Sequence, residues 1–166
     1  DRFLMYIKID QPDADTERKI LKLVRTEQRE TKEQDPAWQE FSKTVGKIAV
    51  EDILTARREV LSMHVSESLE EYLVQLIVAT RKPEKYDASL RDKILFGASP
   101  RATIALDKCA KINAWLDGRD FVTPEDIHAV IYDVLRHRII LSFEAQADGL
   151  TTDDIIASLL KTVPLP

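Results

Sequence analysis

The chain has one cysteine, four glycines, few aromatic residues and no long apolar run, and each scarcity narrows what it can be. A single thiol, Cys109, can neither close an intrachain disulfide nor build a thiolate metal cluster, which fits a reducing compartment and makes the cytoplasm the expected location. No stretch reaches the roughly 18 to 20 apolar residues of a membrane-spanning helix. Positive charge is also in deficit. The 24 Lys and Arg stand against 29 Asp and Glu, a formal net charge of −5, so no global basic field is available to hold a nucleic-acid backbone. A phosphate-cradling loop of the form G-x-x-x-x-G-K-[ST] is missing as well. "VGKIA" supplies Gly46 and Lys47, but Phe41 and Ile48 stand where the first glycine and the hydroxyl belong. The histidines, His64, His128 and His137, are never three or four residues apart, so no helical zinc pair is expected and no metal ligand is assigned.

What is present is helical periodicity. The glycines and prolines punctuate it from outside, and the fold class expected is mainly α. Ile20, Leu21 and Val24 mark one face between Asp15 and Arg25, and Ile53, Leu54, Val60 and Leu61 mark another between Glu51 and His64. Ser66 or Ser68 caps a third helix with Leu69, Tyr72, Leu73, Leu76, Ile77 and Thr80 on its inner face. Ser99 followed by Pro100 is a helix start, and Ala102, Ala105, Cys109, Ile112 and Leu116 form a stripe of mostly small residues that ends before Gly118. Thr123-Pro124 repeats that start ahead of Ile127, Val130, Ile131, Val134 and Leu135, and Thr151 or Thr152 opens a last helix carrying Ile155, Ile156, Leu159 and Leu160. Two stretches depart from the pattern. "FLMYIKI" (3–9) is apolar on both faces, like an inner strand of a parallel sheet, yet it has no strand partners in the chain. The polar stretch 26–35 reads as a solvated extension or loop, with Trp38 and Phe41 as anchors beyond it. Opening at Asp1 directly in an apolar run, the chain reads as a segment of something longer.

Most groups that could carry chemistry have a structural reading. Glu125-Asp126 and Asp153-Asp154 sit in first turns, where carboxylates offset the helix dipole; Arg136, His137 and Arg138 sit at a helix end that favours cations; Cys109 is a small buried filler. Arg101 does not fit so easily. In "FGASPRA" it places a cation in the first turn of a helix, the end that carries partial positive charge and unpaired N–H groups. Two readings are open: an exposed arginine whose side chain snorkels away from the helix end, or an anion that resolves the conflict, with Gly97 permitting close backbone approach, the helix start supplying N–H donors and the guanidinium two more, the chemistry of a phosphate site built from Gly97, Ser99, Pro100 and Arg101.

Taken in order, "DRFL", "GASPRATIAL", "LDGRDFVTPEDI", "VLRHRIILSFEA" and "VPLP" resemble the C-terminal part of MoxR-type AAA+ ATPases over nearly the whole chain. The resemblance implies that residues 1–10 are the last strand of an α/β nucleotide-binding core and that 11–166 form its α-helical lid bundle. It matches Arg101 to the family's sensor 2 arginine, which reaches the γ-phosphate of ATP bound between core and lid. Arg2 in "DRF" is similar to the arginine finger, which acts in trans on the nucleotide of the neighbouring subunit in a ring. It also implies ATP with Mg as the nucleotide, self-assembly, a von Willebrand factor A domain protein as partner, and chaperone-like maturation of a client. Without Walker motifs, this stretch alone is expected to be inactive. The segment from about 26 to 47 departs from the family pattern, and the serine expected to cap the next helix is replaced by Ile48-Ala49-Val50. The other reading is a non-enzymatic helical docking module whose Arg101 and Arg136–Arg138 bind an acidic protein surface.

Overall fold

The computed structural model describes residues 2–27 and 48–166. They divide into two compact units, one formed by the residues up to Ile7 with Ala56–Pro166, the other by Lys8–Thr55.

In the second unit, α1 (Ala14–Glu27) begins where Asp13 Oδ1 accepts from the Thr16 amide at 2.8 Å, an N-cap that the Pro12-Asp13 pair supplies. Helix α2 (Val50–Leu61), whose residues from Ala56 on belong to the first unit, starts without a serine, but Asp52 Oδ2 reaches back to accept from the Ala49 amide at 3.2 Å and replaces half of a capping box. The faces expected on these helices exist, yet Ile20, Leu21, Val24, Ile53 and Leu54 remain largely exposed. The segment 28–47, including Trp38, Phe41, Gly46 and Lys47, lies outside the described residues.

The first unit is a helical bundle. Helix α3 (Glu67–Arg81) is capped by Ser66, whose hydroxyl accepts from the Leu69 amide, and buries all six of the residues its periodicity selects. Helices α4 (Pro100–Leu116) and α5 (Pro124–Leu135) make the most extensive helix pairing, because Ala102, Ala105, Ala110 and Ala114 let the larger Ile127, Val130, Ile131 and Val134 approach closely. The inner stripe of α4 differs at one end from the expected one. Leu106, Ala110 and Ala114 are buried, while Ile112 and Leu116 lie outside the core. A short α6 (Phe143–Ala147) leads to α7 (Thr152–Thr162), whose Ile155, Ile156 and Leu159 close the core; Thr151 and Asp154 form its capping box.

Residues 3–9 are not a strand. Among the described residues no strand lies beside this segment to take up its N–H and C=O groups, and it runs as an irregular, largely exposed strap. The sheet that does form was not expected from the sequence: β1 (Ile94–Phe96) pairs antiparallel with β2 (Ile140–Leu141), too short for alternation to register. It matters for position, because it holds the loop entering α4 beside the turn leaving α5.

The loop entering α4 is clamped onto the end of α3. The Ala98 amide donates to Thr80 Oγ1 at 2.9 Å, and Arg81 Nε donates to the Ala98 carbonyl at 2.6 Å. Gly97 makes this contact possible, since a Cβ there would lie 2.4 Å from the Thr80 carbonyl oxygen and 2.8 Å from the Arg81 nitrogen. Both obstacles are backbone and cannot rotate away. Gly97→Ala is therefore expected to cost about 1–3 kcal/mol as an overpacked site, read as a lowered denaturation midpoint; an unchanged midpoint would contradict the clamp.

Candidate functional site

The Ser99-Pro100 start opens α4 as expected: Ser99 adopts extended N-cap backbone geometry and Pro100 occupies the first helical position, although the Ser99 hydroxyl does not bond the helix end. Arg101 then projects from the first turn, exposed. It lines a cavity of about 400 Å³ whose other cationic walls are Arg2, Lys108 and Arg138. Ile104 and Ala105, on the same face of α4, supply the apolar wall between Arg101 and Lys108, and Phe3 and Leu4 close the side nearest Arg2. Among the described residues, none that lines this cavity is a carboxylate. Four cations and the positive end of a helix dipole thus converge in a chain that is acidic overall.

The four are not equivalent. Arg2, Arg101 and Lys108 are exposed, while Arg138 is buried, with 8% of its surface accessible. Burial pushes the Arg138 guanidinium below its ordinary value, and the like charge of Arg101 adds to this in the same direction. An anion in the cavity would lower the repulsion among all four, and a multiply charged anion would do so most. Guanidinium groups favour phosphate oxygens in particular, because their planar donors match two oxygens at once.

The sequence-derived site residues therefore separate. Arg2 and Arg101 come together although 98 residues lie between them, Ser99 and Pro100 set the helix start, and the close approach of Gly97 is to the backbone of α3. Lys108 was missed, though its spacing of seven from Arg101 puts both on one helical face. Arg138 was read as a helix-end cation. The cations proposed for an acidic docking surface are largely consumed inside the fold: Arg136 pairs with Asp133 and Asp153, each at 2.8 Å, and Arg138 is buried. The remaining groups serve the scaffold. His128 Nε2 lies 2.7 Å from the Tyr72 hydroxyl, and Cys109 is buried in α4 with its thiol pushed up by burial.

Residues 88–159, which include the Ser-Pro-Arg helix start, match the AAA lid domain family. The whole chain aligns with Chaperone MoxR1 of Mycobacterium tuberculosis at 33% identity, with Protein MoxR of Methylorubrum extorquens at 33% and with YeaC of Bacillus subtilis at 30%. In structure it resembles a protein of Cytophaga hutchinsonii assigned as an ATPase, with a TM-score of 0.83 and 38% identity over 99% of this chain and 47% of that one. The chain thus carries an AAA lid domain at residues 88–159 and, over its whole length, is similar to the C-terminal part of MoxR proteins. It spans 41%, 49% and 46% of the three curated relatives. Among the described residues no helix is long and apolar enough to cross a membrane.

Proposed function

We propose that this chain is the lid-bearing part of an ATP-hydrolysing ring protein, and that Arg2 and Arg101 of one subunit act together on the terminal phosphate of one ATP. The observation that carries the reading is their place in a single cavity of a single chain, with Lys108 and Arg138 beside them. If Arg2 is a finger that reaches the neighbouring subunit's nucleotide, Arg101 reaches it from the same side. Two guanidiniums fixed before reaction stabilise the charge that spreads over the transferring phosphoryl group and need no reorganisation as it develops. Arg2 is the finger and Arg101 the sensor 2 arginine in this arrangement.

The nucleotide-binding core supplies the phosphate-cradling loop and the ligands for Mg. ATP in the cavity stabilises one disposition of lid and core, and hydrolysis removes that stabilisation, so each turnover can drive a movement that remodels a partner. The name of the mycobacterial relative supports a chaperone role. A von Willebrand factor A domain protein as partner and the cytoplasm as compartment complete the reading.

The test is steady-state ATP hydrolysis by the assembled protein carrying Arg2→Ala. Loss of one preorganised charge donor should lower kcat by on the order of 100-fold with ring assembly intact. Unchanged turnover would remove Arg2 from the reaction.

A further inference from the structure

The turn Arg136-His137-Arg138 follows α5 and has no role in phosphate contact beyond the buried edge of the cavity, yet its side chains all turn toward the N-terminal strap. Arg138 Nη2 donates to the Phe3 carbonyl at 2.6 Å and to the Leu4 carbonyl at 3.3 Å. His137 Nε2 lies 3.1 Å from the same Phe3 carbonyl, which can only accept, so this nitrogen is the donor. Arg136 Nη1 donates to the Tyr6 carbonyl at 3.3 Å, and the Tyr6 amide donates to the Asp133 carbonyl at 2.8 Å. The ring of Tyr6 sits 6.3 Å from that of His137. Five polar contacts thus fix the backbone of residues 3–6, a segment whose Phe3 and Ile7 side chains remain largely exposed. Apolar contact with the core comes from Met5, while four of the five polar contacts come from side chains of one turn.

We infer that this turn is a latch that positions Arg2, with Arg138 as its central positioning residue, so that the finger is carried by the lid and shares whatever movement the lid makes. The inference rests on the proposed role of Arg2 for its catalytic consequence, but not for its structural one. Arg138 meets the Phe3 carbonyl one residue from Arg2 and lines the cavity that Arg2 and Arg101 share. Its donors therefore decide where the Arg2 backbone lies relative to Arg101. A displacement of about 1 Å at such a group is enough to cost on the order of 100-fold in a reaction that depends on orientation.

The experiment has two arms. Hydrogen exchange on the chain itself compares wild type with Arg138→Lys, which keeps the charge but loses the guanidinium fork, and with His137→Ala, which removes one strap contact without burying a new charge. Protection of the Tyr6 amide is expected to fall by about tenfold or more while the amides of Ile127 and Ile131 in α5 keep theirs. Unchanged Tyr6 protection in both variants overturns the latch. In the assembled protein, the same substitutions should lower kcat by on the order of 10-fold or more with KM nearly constant, because a finger acts on the transition state. In an Arg2→Ala background His137→Ala, at a residue that does not line the cavity, should have no further effect on kcat. An equal loss in that background overturns the assignment, since the turn would then act otherwise than through Arg2. If Arg2→Ala alone leaves turnover unchanged, the catalytic reading of Arg2 is what fails, and the exchange arm still decides the latch.

Discussion

Asp126→Ala is expected to lower the unfolding free energy by about 1.5–3 kcal/mol, the cost of removing the charge-assisted hydrogen bonds of a buried carboxylate. The carboxylate is 1% exposed and fully engaged. Arg119 grips it with both terminal nitrogens, at 2.7 and 2.6 Å, Asn113 Nδ2 donates at 2.8 Å, and Thr123 donates through its amide at 2.8 Å and its hydroxyl at 3.1 Å. One residue thereby fastens the last turns of α4, the loop 117–123 and the first turn of α5, the pairing on which the cavity is built. Burial alone would push the Asp126 carboxyl up, but the bonds from Arg119, Asn113 and Thr123 together outweigh it and hold the group well below the usual carboxylate range. The pH dependence has a definite sign. A folded-state value below the unfolded one, about 3.9, means that the stabilisation is complete above pH 4 and is lost as pH falls toward the folded value. Denaturant titrations should show the gap between wild type and variant narrowing below about pH 4. A gap that widens on acidification, or a loss near zero at pH 7, would contradict this description of the clamp.

Arg101→Ala in the assembled protein is expected to lower kcat for ATP by on the order of 100-fold, and Arg101→Lys should recover only part of that loss. An ammonium restores the charge but not the planar pair of donors. Because Arg101 is exposed on the first turn of α4, neither substitution should disturb folding by more than about 0.5 kcal/mol. The helix start itself favours losing the cation when no anion is bound. A large change in melting temperature without a change in turnover would make Arg101 a scaffold residue instead.

Much of this arrangement was legible in the sequence, for reasons that differ by residue. The inner faces of α3 and α5 repeat large apolar residues at helical spacing, so Leu69 to Thr80 and Ile127 to Leu135 declare their burial directly. Arg101 was conspicuous because it opposes a local electrostatic preference, and a residue that breaks a local rule points to function. Lys108 was not, because a lysine on the exposed side of a helix breaks no rule. The clamp on Asp126 was half visible: Thr123-Pro124-Glu125-Asp126 announces a capped start, but Arg119 reaches it across a loop, and loop geometry leaves no periodicity to read. The strap was legible only in part, for a related reason. Apolar residues on both faces of 3–9 describe a segment made to be covered, and they do not say by what; in this chain its backbone is held by the turn after α5 instead of by a strand. The turn Arg136–Arg138 satisfied the dipole rule so well that its contacts with the strap, 130 or more residues away in sequence, gave no signal of their own.

The central claim is that Arg2 and Arg101 of one subunit face one phosphate, and mixed rings test it most directly. Subunits carrying Arg2→Ala are combined with subunits carrying Arg101→Ala, and ATP turnover is compared with that of each variant alone. If one chain supplies both arginines to one site, every site in the mixture lacks one of them, and turnover stays at the level of the single variants. If the two arginines of a chain serve different nucleotides, some interfaces regain one intact arginine from each side, turnover recovers, and the shared cavity is not the place where they act.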